Sequence, residues 1–267
     1  MGIRYAIIGG TGVYNAGDIA DADTKTIHTP YGDTMVTIGR YADREVAFMA
    51  RHGVQHGTPP HLINYRANLY ALKSLGVEQV LATAAVGSLQ RSYQPGELVL
   101  VDDVIDMTKS RKSTFFDEGR VVHVDMSDPY CSRLRRGLRE AAGKLGYDLH
   151  DGGVYVCTEG PRFETKAEIA MYAQLGGSVV GMTSMPEATL AKELELCYAT
   201  VCMVTNWAAG LSPHPLTHEE VTSAMAANVE KLRRLFYQFI ENDTGERTCG
   251  CTTAVGGQAP LTGEESA

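Results

Sequence analysis

Four short clusters in the chain carry residue types that handle anions and planar polar ligands, and each follows an apolar run. In Gly9-Gly10-Thr11-Gly12 the glycines let the backbone approach an anion, while Thr11 adds a hydroxyl and an N–H. It is not the dinucleotide fingerprint G-x-G-x-x-G, because Asn15 stands where the third glycine belongs. Arg51-His52-Gly53 offers a planar guanidinium fork that matches phosphate oxygens, with a histidine as a further donor. The same pair would also suit a solvated loop. Glu159-Gly160-Pro161-Arg162-Phe163-Glu164-Thr165 combines a Gly-Pro turn, an aromatic face and a carboxylate at a helix start, where the helix dipole alone also favours an acid. The fourth cluster is a pair, Gly181-Met182-Thr183-Ser184-Met185-Pro186-Glu187 and Val204-Thr205-Asn206-Trp207-Ala208-Ala209-Gly210, which includes the chain's only tryptophan. Taken singly, none of the four decides a function.

The elements that must position them follow an α/β alternation. Apolar, β-branched runs predict strands over Tyr5–Ile8, Met35–Ile38, Val46–Met49, Gln79–Ala82, Leu98–Ile105, Val154–Cys157, Ser178–Met182 and Tyr198–Val204. Helical spacing predicts helices over His61–Leu75, Ser132–Leu145, Thr165–Leu175 and Pro186–Leu196, the first three stopped by Gly76, Gly146 and Gly176. A last helix opens on the capping box Thr217/Glu220 and carries Val221, Met225, Val229, Leu232, Phe236, Phe239 and Ile240 on one face. Continuous apolar strands between helices imply a buried central sheet, with ligand sites where its strands end. The chain divides into one domain, residues 1–242, and a flexible tail, residues 243–267, which is rich in Gly, Thr, Ser and Glu and carries the pair Cys249-Gly250-Cys251.

Composition removes several classes. A formal charge of −8 provides no field that draws the chain to nucleic acid or an anionic membrane. No apolar run reaches the roughly 18 residues of a membrane span, and the opening residues do not form a signal peptide. A cytoplasmic protein is expected. Cys131, Cys157, Cys197 and Cys202 read as buried small hydrophobes. Cys249 and Cys251 read as a pair of surface thiols, because no second Cys or His pair follows at zinc-ligand spacing; a CxC bridge is the alternative and would point to a thermophilic source, since intracellular disulfides are rare outside hyperthermophiles.

Order and spacing add what the single clusters lack. GGTG near the start, ARHG near residue 50, Ala84-Ala85-Val86-Gly87-Ser88, EGPRFET, GMTSMPE and VTNWAAG together resemble the purine nucleoside and methylthioadenosine phosphorylases of the trimeric type, from about Tyr5 to Ile240. The resemblance implies a single α/β domain around a mixed, partly barrel-like sheet, assembled as a homotrimer or a dimer of trimers. It implies phosphate as co-substrate and neither a metal nor an organic cofactor. By position, Thr11, Arg51, His52, Ala84, Ala85 and Thr183 would bind phosphate. Met182 would lie under the ribose, Phe163 would face sugar and base, and His123 would reach into a neighbouring subunit's site. Some relatives carry threonine at the position of Ala84, so backbone N–H groups of Ala84 and Ala85 would serve there instead.

The resemblance leaves the base open, and the residues discriminate. Methylthioadenosine enzymes of this family carry Asp-x-Asp where this chain has Asn206-Trp207-Ala208. An asparagine amide donates to O6 or N7 of a 6-oxopurine and a carboxylate accepts from its N1–H, so Asn206 and Glu164 imply inosine or guanosine as substrate. His218 resembles the histidine that bonds the sugar 5′-hydroxyl, where methylthio-selective members place an apolar side chain. Methylthioinosine or methylthioadenosine phosphorolysis is the alternative within the family. A nucleoside-binding protein without catalysis is the alternative outside it.

Overall fold

One long strand organises the molecule. In this computed structural model, which describes residues 2–10, 19–53, 57–211 and 218–256 and omits the side chains of 218–227, β5 (Gln79–Ser88) runs through the middle of an eleven-stranded mixed sheet. Along one edge β11 (Cys197–Trp207) pairs with it in parallel over its whole length. Along the other edge β5 changes partners. Gln79 to Ala82 pair with β1 (Tyr5–Gly9), whereas Gly87 and Ser88 pair with β10 (Gly177–Gly181). From Thr83 to Val86 only β11 is in register, so the sheet splits there.

The outer strands extend from these. β2 (Ala20–Ile27), β3 (Thr34–Tyr41) and β4 (Arg44–Ala50) continue beyond β1, and β9 (Val154–Thr158) and β7 (Asp103–Met107) continue beyond β10. β6 (Leu98–Leu100) joins β11 to β8 (Leu149–Asp151). Alternate residues of β5 and β11 enter opposite cores. Val80, Ala82, Tyr198 and Cys202 pack under α1 (Tyr65–Ser74) and α4 (Ser184–Glu193), while Leu81, Ala199 and Val201 pack under α2 (Ser132–Leu145) and α5 (His218–Asn242). Both faces are covered, which is why these strands are apolar on both faces over most of their length, with only a few buried polar residues such as Gln79, Thr83 and Thr200 among them. In α5, Leu232, Phe236 and Ile240 are fully buried, each contributing about 1.5–3 kcal/mol by removal from water. Glycine stops the helices as expected, with Gly146 in the left-handed conformation at φ 65° after α2.

The structure corrects four expectations. The run Leu98–Ile105 is two strands, because β6 pairs with β11 and β7 with β9, in different parts of the sheet. The first helix begins at Tyr65 rather than His61, where the Asn64 side chain accepts from the Ala67 N–H and a 3-10 turn occupies Pro60–Leu62. β5 and β11 run past their predicted ends, so Ala84, Ala85 and Asn206 lie within strands. The segment after Asn242 is not a loose tail as far as residue 256. Asp243 pairs with Arg133 at 2.9 Å and accepts from the Tyr5 hydroxyl at 2.8 Å, and Cys251 and Val255 are buried. Residues 257–267 and Thr217 lie outside the described residues. Among the described residues no helix is long and apolar enough to cross a membrane.

Candidate active site

The split beside β5 opens into a cavity of about 180 Å³, and strand ends converge on it. Arg51 and His52 arrive from the end of β4, Ala84 and Ala85 from β5, Met182 and Thr183 from the end of β10, and Asn206 and Ala208 from β11. Phe163 and Glu164 reach it from the loop between β9 and α3 (Lys166–Gln174). Ten of the predicted site residues therefore meet in one place. Thr11 lies outside the described residues, as does the side chain of His218, whose backbone opens α5. His123 is exposed on an irregular segment and does not line this cavity.

Arg51 is not a solvated loop cation. It is 4% exposed, and its Nε and Nη2 donate to the two oxygens of Glu187 at 2.8 and 2.7 Å while Nη1 donates to the Thr83 carbonyl at 2.8 Å. Burial alone would lower the guanidinium pKa, but the Glu187 carboxylate outweighs it and holds the pKa above its ordinary value. Glu187 is itself fully buried and also accepts from the Tyr198 hydroxyl at 2.8 Å. A guanidinium has five N–H bonds. Among the described residues three are engaged, which leaves two N–H bonds that an anion in the split could take. His52 is fixed by Nδ1, which must donate, because its partner at 2.9 Å is the Thr58 carbonyl. Thr183 is held by the Tyr155 phenol, whose oxygen accepts from the Thr183 N–H at 3.3 Å and which also meets the Thr183 side chain.

The other end of the cavity is built to read a polar edge. β11 carries a register shift between Val204 and Asn206 against β5, a bulge of the kind that re-aims side chains beside active sites. The Asn206 amide is locked by two neighbours. Its Nδ2 donates to the Trp207 carbonyl at 3.0 Å, and its Oδ1 accepts from the Thr205 hydroxyl at 2.8 Å. Since a carbonyl can only accept, the amide orientation is fixed, with one N–H and one acceptor position remaining. Glu164 accepts from the Thr158 hydroxyl at 2.7 Å. A methyl group on Gly87 would lie 3.2 Å from Asn206 Nδ2, so a glycine there keeps the amide in place.

Two supporting groups escaped the sequence reading. Glu187 ends the quoted GMTSMPE run, yet only folding brings it to Arg51, 136 residues away. Arg111 sits in a polar stretch, Lys109-Ser110-Arg111-Lys112, that reads as a solvated loop. Its side chain is 1% exposed and holds the carbonyls of Thr158, Glu159, Met182 and Met185 at 2.6–3.0 Å. It thereby ties the loop bearing Glu164 to the one bearing Thr183. Arg111→Lys replaces a fork by a point donor and leaves buried carbonyls unpaired. It is expected to lower the unfolding free energy by about 1–3 kcal/mol, read from urea denaturation.

The loop bearing Glu164 is also anchored from its other side. Thr165 caps α3, and the Glu168 carboxylate returns to the Thr165 N–H at 2.7 Å while pairing with Arg162 at 2.6 Å. The Arg162 hydrogen bond first, then the Thr165 N–H, lowers the Glu168 pKa from 4.5 to about 2. The unfolded chain therefore takes up this proton before the folded one. The cap's contribution is complete above pH 4.5 and disappears as pH falls towards about 2. Glu168→Gln is expected to melt below the native chain at pH 7, with the two melting curves converging near pH 2.

A mixed sheet split beside its central strand, with a buried guanidinium at one end of the cavity and an amide and a carboxylate at the other, is the architecture of a group-transfer enzyme. The chain belongs to the phosphorylase superfamily, whose family model matches residues 4–241. A Dictyoglomus turgidum protein named as a probable 6-oxopurine nucleoside phosphorylase is 52% identical over 255 residues, covering 95% of this chain and 97% of that protein. A Methanothermobacter thermautotrophicus protein named as a probable S-methyl-5′-thioinosine phosphorylase is 49% identical over 253 residues, covering 94% and 88%. The crystal structure of a methylthioadenosine phosphorylase from an Antarctic soil metagenomic library superposes with a TM-score of 0.90 at 36% identity, covering 96% of this chain and 91% of that one. The single-domain α/β fold expected from the strand–helix alternation is the fold of this family.

Proposed function

We propose that this chain catalyses the phosphorolysis of 6-oxopurine nucleosides, inosine and guanosine, to the free base and ribose 1-phosphate. The observation that carries the reading is the Asn206 amide, held in one orientation in the same cavity as the Glu164 carboxylate. The amide's remaining N–H suits O6 or N7, and the carboxylate accepts from N1–H. An adenine has no proton on N1 for the carboxylate to accept, and its C6 amino group puts a donor where the 6-oxo group offers an acceptor to the amide N–H.

In this reading phosphate lies against Arg51, His52, the Thr183 hydroxyl and the backbone of Ala84 and Ala85, with Thr11 closing the site. It attacks the anomeric carbon as the bond to N9 breaks. The ribosyl group passes through an oxocarbenium-like state that the phosphate's own charge stabilises. Met182 and Phe163 hold the sugar, and Ala208 leaves room for the base. The electrons of the broken bond go to the purine, where Asn206 meets the growing charge. The protein's main task is positioning, and no covalent enzyme intermediate is needed. The enzyme works with phosphate as its co-substrate, without metal or organic cofactor in the reaction. It acts as a cytoplasmic homo-oligomer, a trimer or a pair of trimers, in which the exposed His123 completes a neighbour's site.

A second reading shares the base edge and differs at the 5′ position: methylthioinosine as substrate, the activity named for the Methanothermobacter relative. His218 is the residue that favours a 5′-hydroxyl. Initial rates with inosine, guanosine, adenosine and methylthioinosine in phosphate buffer test the assignment. Faster turnover of inosine and guanosine than of the other two is expected, and equal or faster turnover of adenosine would overturn the base reading.

A further inference from the structure

The six cysteines fall into two groups. Cys157 and Cys202 are buried separately in strands, whereas the sulfurs of Cys131, Cys197, Cys249 and Cys251 all lie within 4.8 Å of one another. They come from three places far apart in sequence. Cys131 precedes α2, with its N–H bonded to the Tyr198 carbonyl at 2.7 Å. Cys197 is the first residue of β11, and Cys249 and Cys251 flank the start of a 3-10 turn, Gly250–Thr253, in the final segment. Three of the four are buried. Sequence spacing gave no partner pair for the CxC motif, because the partners are supplied by the fold.

We propose that these four thiols form a tetrathiolate site for a soft divalent cation, zinc in the first instance, which pins the C-terminal segment to the back of the sheet. In tetrahedral coordination with bonds of about 2.3 Å, neighbouring sulfurs stand about 3.8 Å apart. The cluster requires only small side-chain shifts to meet that geometry, with Cys197 and Cys249 already at 3.3 Å. Four thiolates carry more charge than one divalent ion cancels, and Arg247 stands beside them. Its Nε donates to the Cys197 sulfur at 3.4 Å, while its Nη2 is held by the Glu195 carbonyl. A hydrogen bond to a ligating sulfur of this kind orients the ligand and offsets its charge.

The set is closed, with four protein ligands and no open position, so the metal's role is structural. Its distance from the cavity says the same. Cys197 and Asn206 lie nine residues apart along β11, roughly 30 Å in an extended strand. Binding the cation displaces the thiol protons to solvent and involves no oxidation. Oxidation of the same thiols to disulfides is the competing use of the cluster.

The full chain, purified from reducing cytosol and equilibrated with equimolar zinc and excess non-thiol reductant, is expected to retain one zinc per chain by elemental analysis. Cobalt(II) in its place should give the thiolate-to-metal absorption of a tetrahedral site. Cys249→Ser/Cys251→Ser should lose the zinc, and removal of zinc by a chelator should lower the melting temperature of the native chain. A chain that binds no zinc under these conditions overturns the proposal, as does full retention of zinc by the double variant. Recovery of a Cys249–Cys251 or Cys131–Cys197 disulfide that persists in the reductant and excludes metal overturns it equally. None of these readouts depends on the substrate assignment.

Discussion

Arg51→Ala is expected to abolish saturation by phosphate across the accessible concentration range and to destabilise the fold at the same time. The two effects have separate origins. Arg51 and Glu187 are a buried, bidentate pair, 2% and 0% exposed in their side chains. Removing one partner leaves a carboxylate in the core with, among the described residues, only the Tyr198 hydroxyl to answer it. Breaking such a pair typically costs about 3–5 kcal/mol. The kinetic effect comes from the two N–H bonds that the guanidinium keeps for an anion. A hydrogen bond to a charged group contributes about 1.5–3 kcal/mol, which is on the order of ten- to hundredfold in phosphate affinity for each bond lost. Thermal melts report the first effect and phosphate saturation curves at fixed inosine the second. A folded Arg51→Ala variant with an unchanged phosphate KM would remove Arg51 from the anion site and leave it a purely structural role.

Asn206→Asp is expected to move the substrate preference towards 6-aminopurines. The amide's Nδ2 faces the Trp207 carbonyl at 3.0 Å, and a carboxylate there sets two acceptors against each other. Protonation relieves that conflict by giving the single O–H to the Trp207 carbonyl, which leaves only acceptor positions towards the ligand, matched to a 6-amino group and mismatched to O6. For inosine the change replaces a matched donor by a mismatch, worth about 1–3 kcal/mol, or roughly five- to a hundredfold in kcat/KM. The ratio of kcat/KM for inosine to that for adenosine should fall accordingly. A ratio that stays where it was in the native enzyme counts against Asn206 as the base-reading residue.

What could be read from the sequence was local. The strand and helix order followed from apolar periodicity, and α2 was placed to the residue because its apolar face, its length and Gly146 all agree. β2 was invisible for the same reason. Its residues Ala-Asp-Ala-Asp-Thr-Lys-Thr-Ile are almost all exposed at the sheet edge, so no buried face leaves a pattern. The site residues were legible as motifs, but their chemistry was not. Nothing near Arg51 in sequence announces that Glu187 will occupy half of its donors, and nothing near Arg111 announces a buried clamp. The reading of the final segment failed on composition. Glycine, threonine and glutamate outnumber its few anchors, yet Asp243, Cys251 and Val255 each find a partner surface in the folded domain. Long-range pairing is the common thread, since it depends on where strands bring residues rather than on their neighbours in the chain.

The central claim is that an anion bound beside Arg51 and His52 is the nucleophile that releases the purine. It is tested most directly by following inosine turnover by phosphorus NMR with the base assayed in parallel. Ribose 1-phosphate and hypoxanthine are expected in equal amounts, with no release of base when phosphate is withheld. Free ribose as the product, or hypoxanthine formed at the same rate without phosphate, would contradict it.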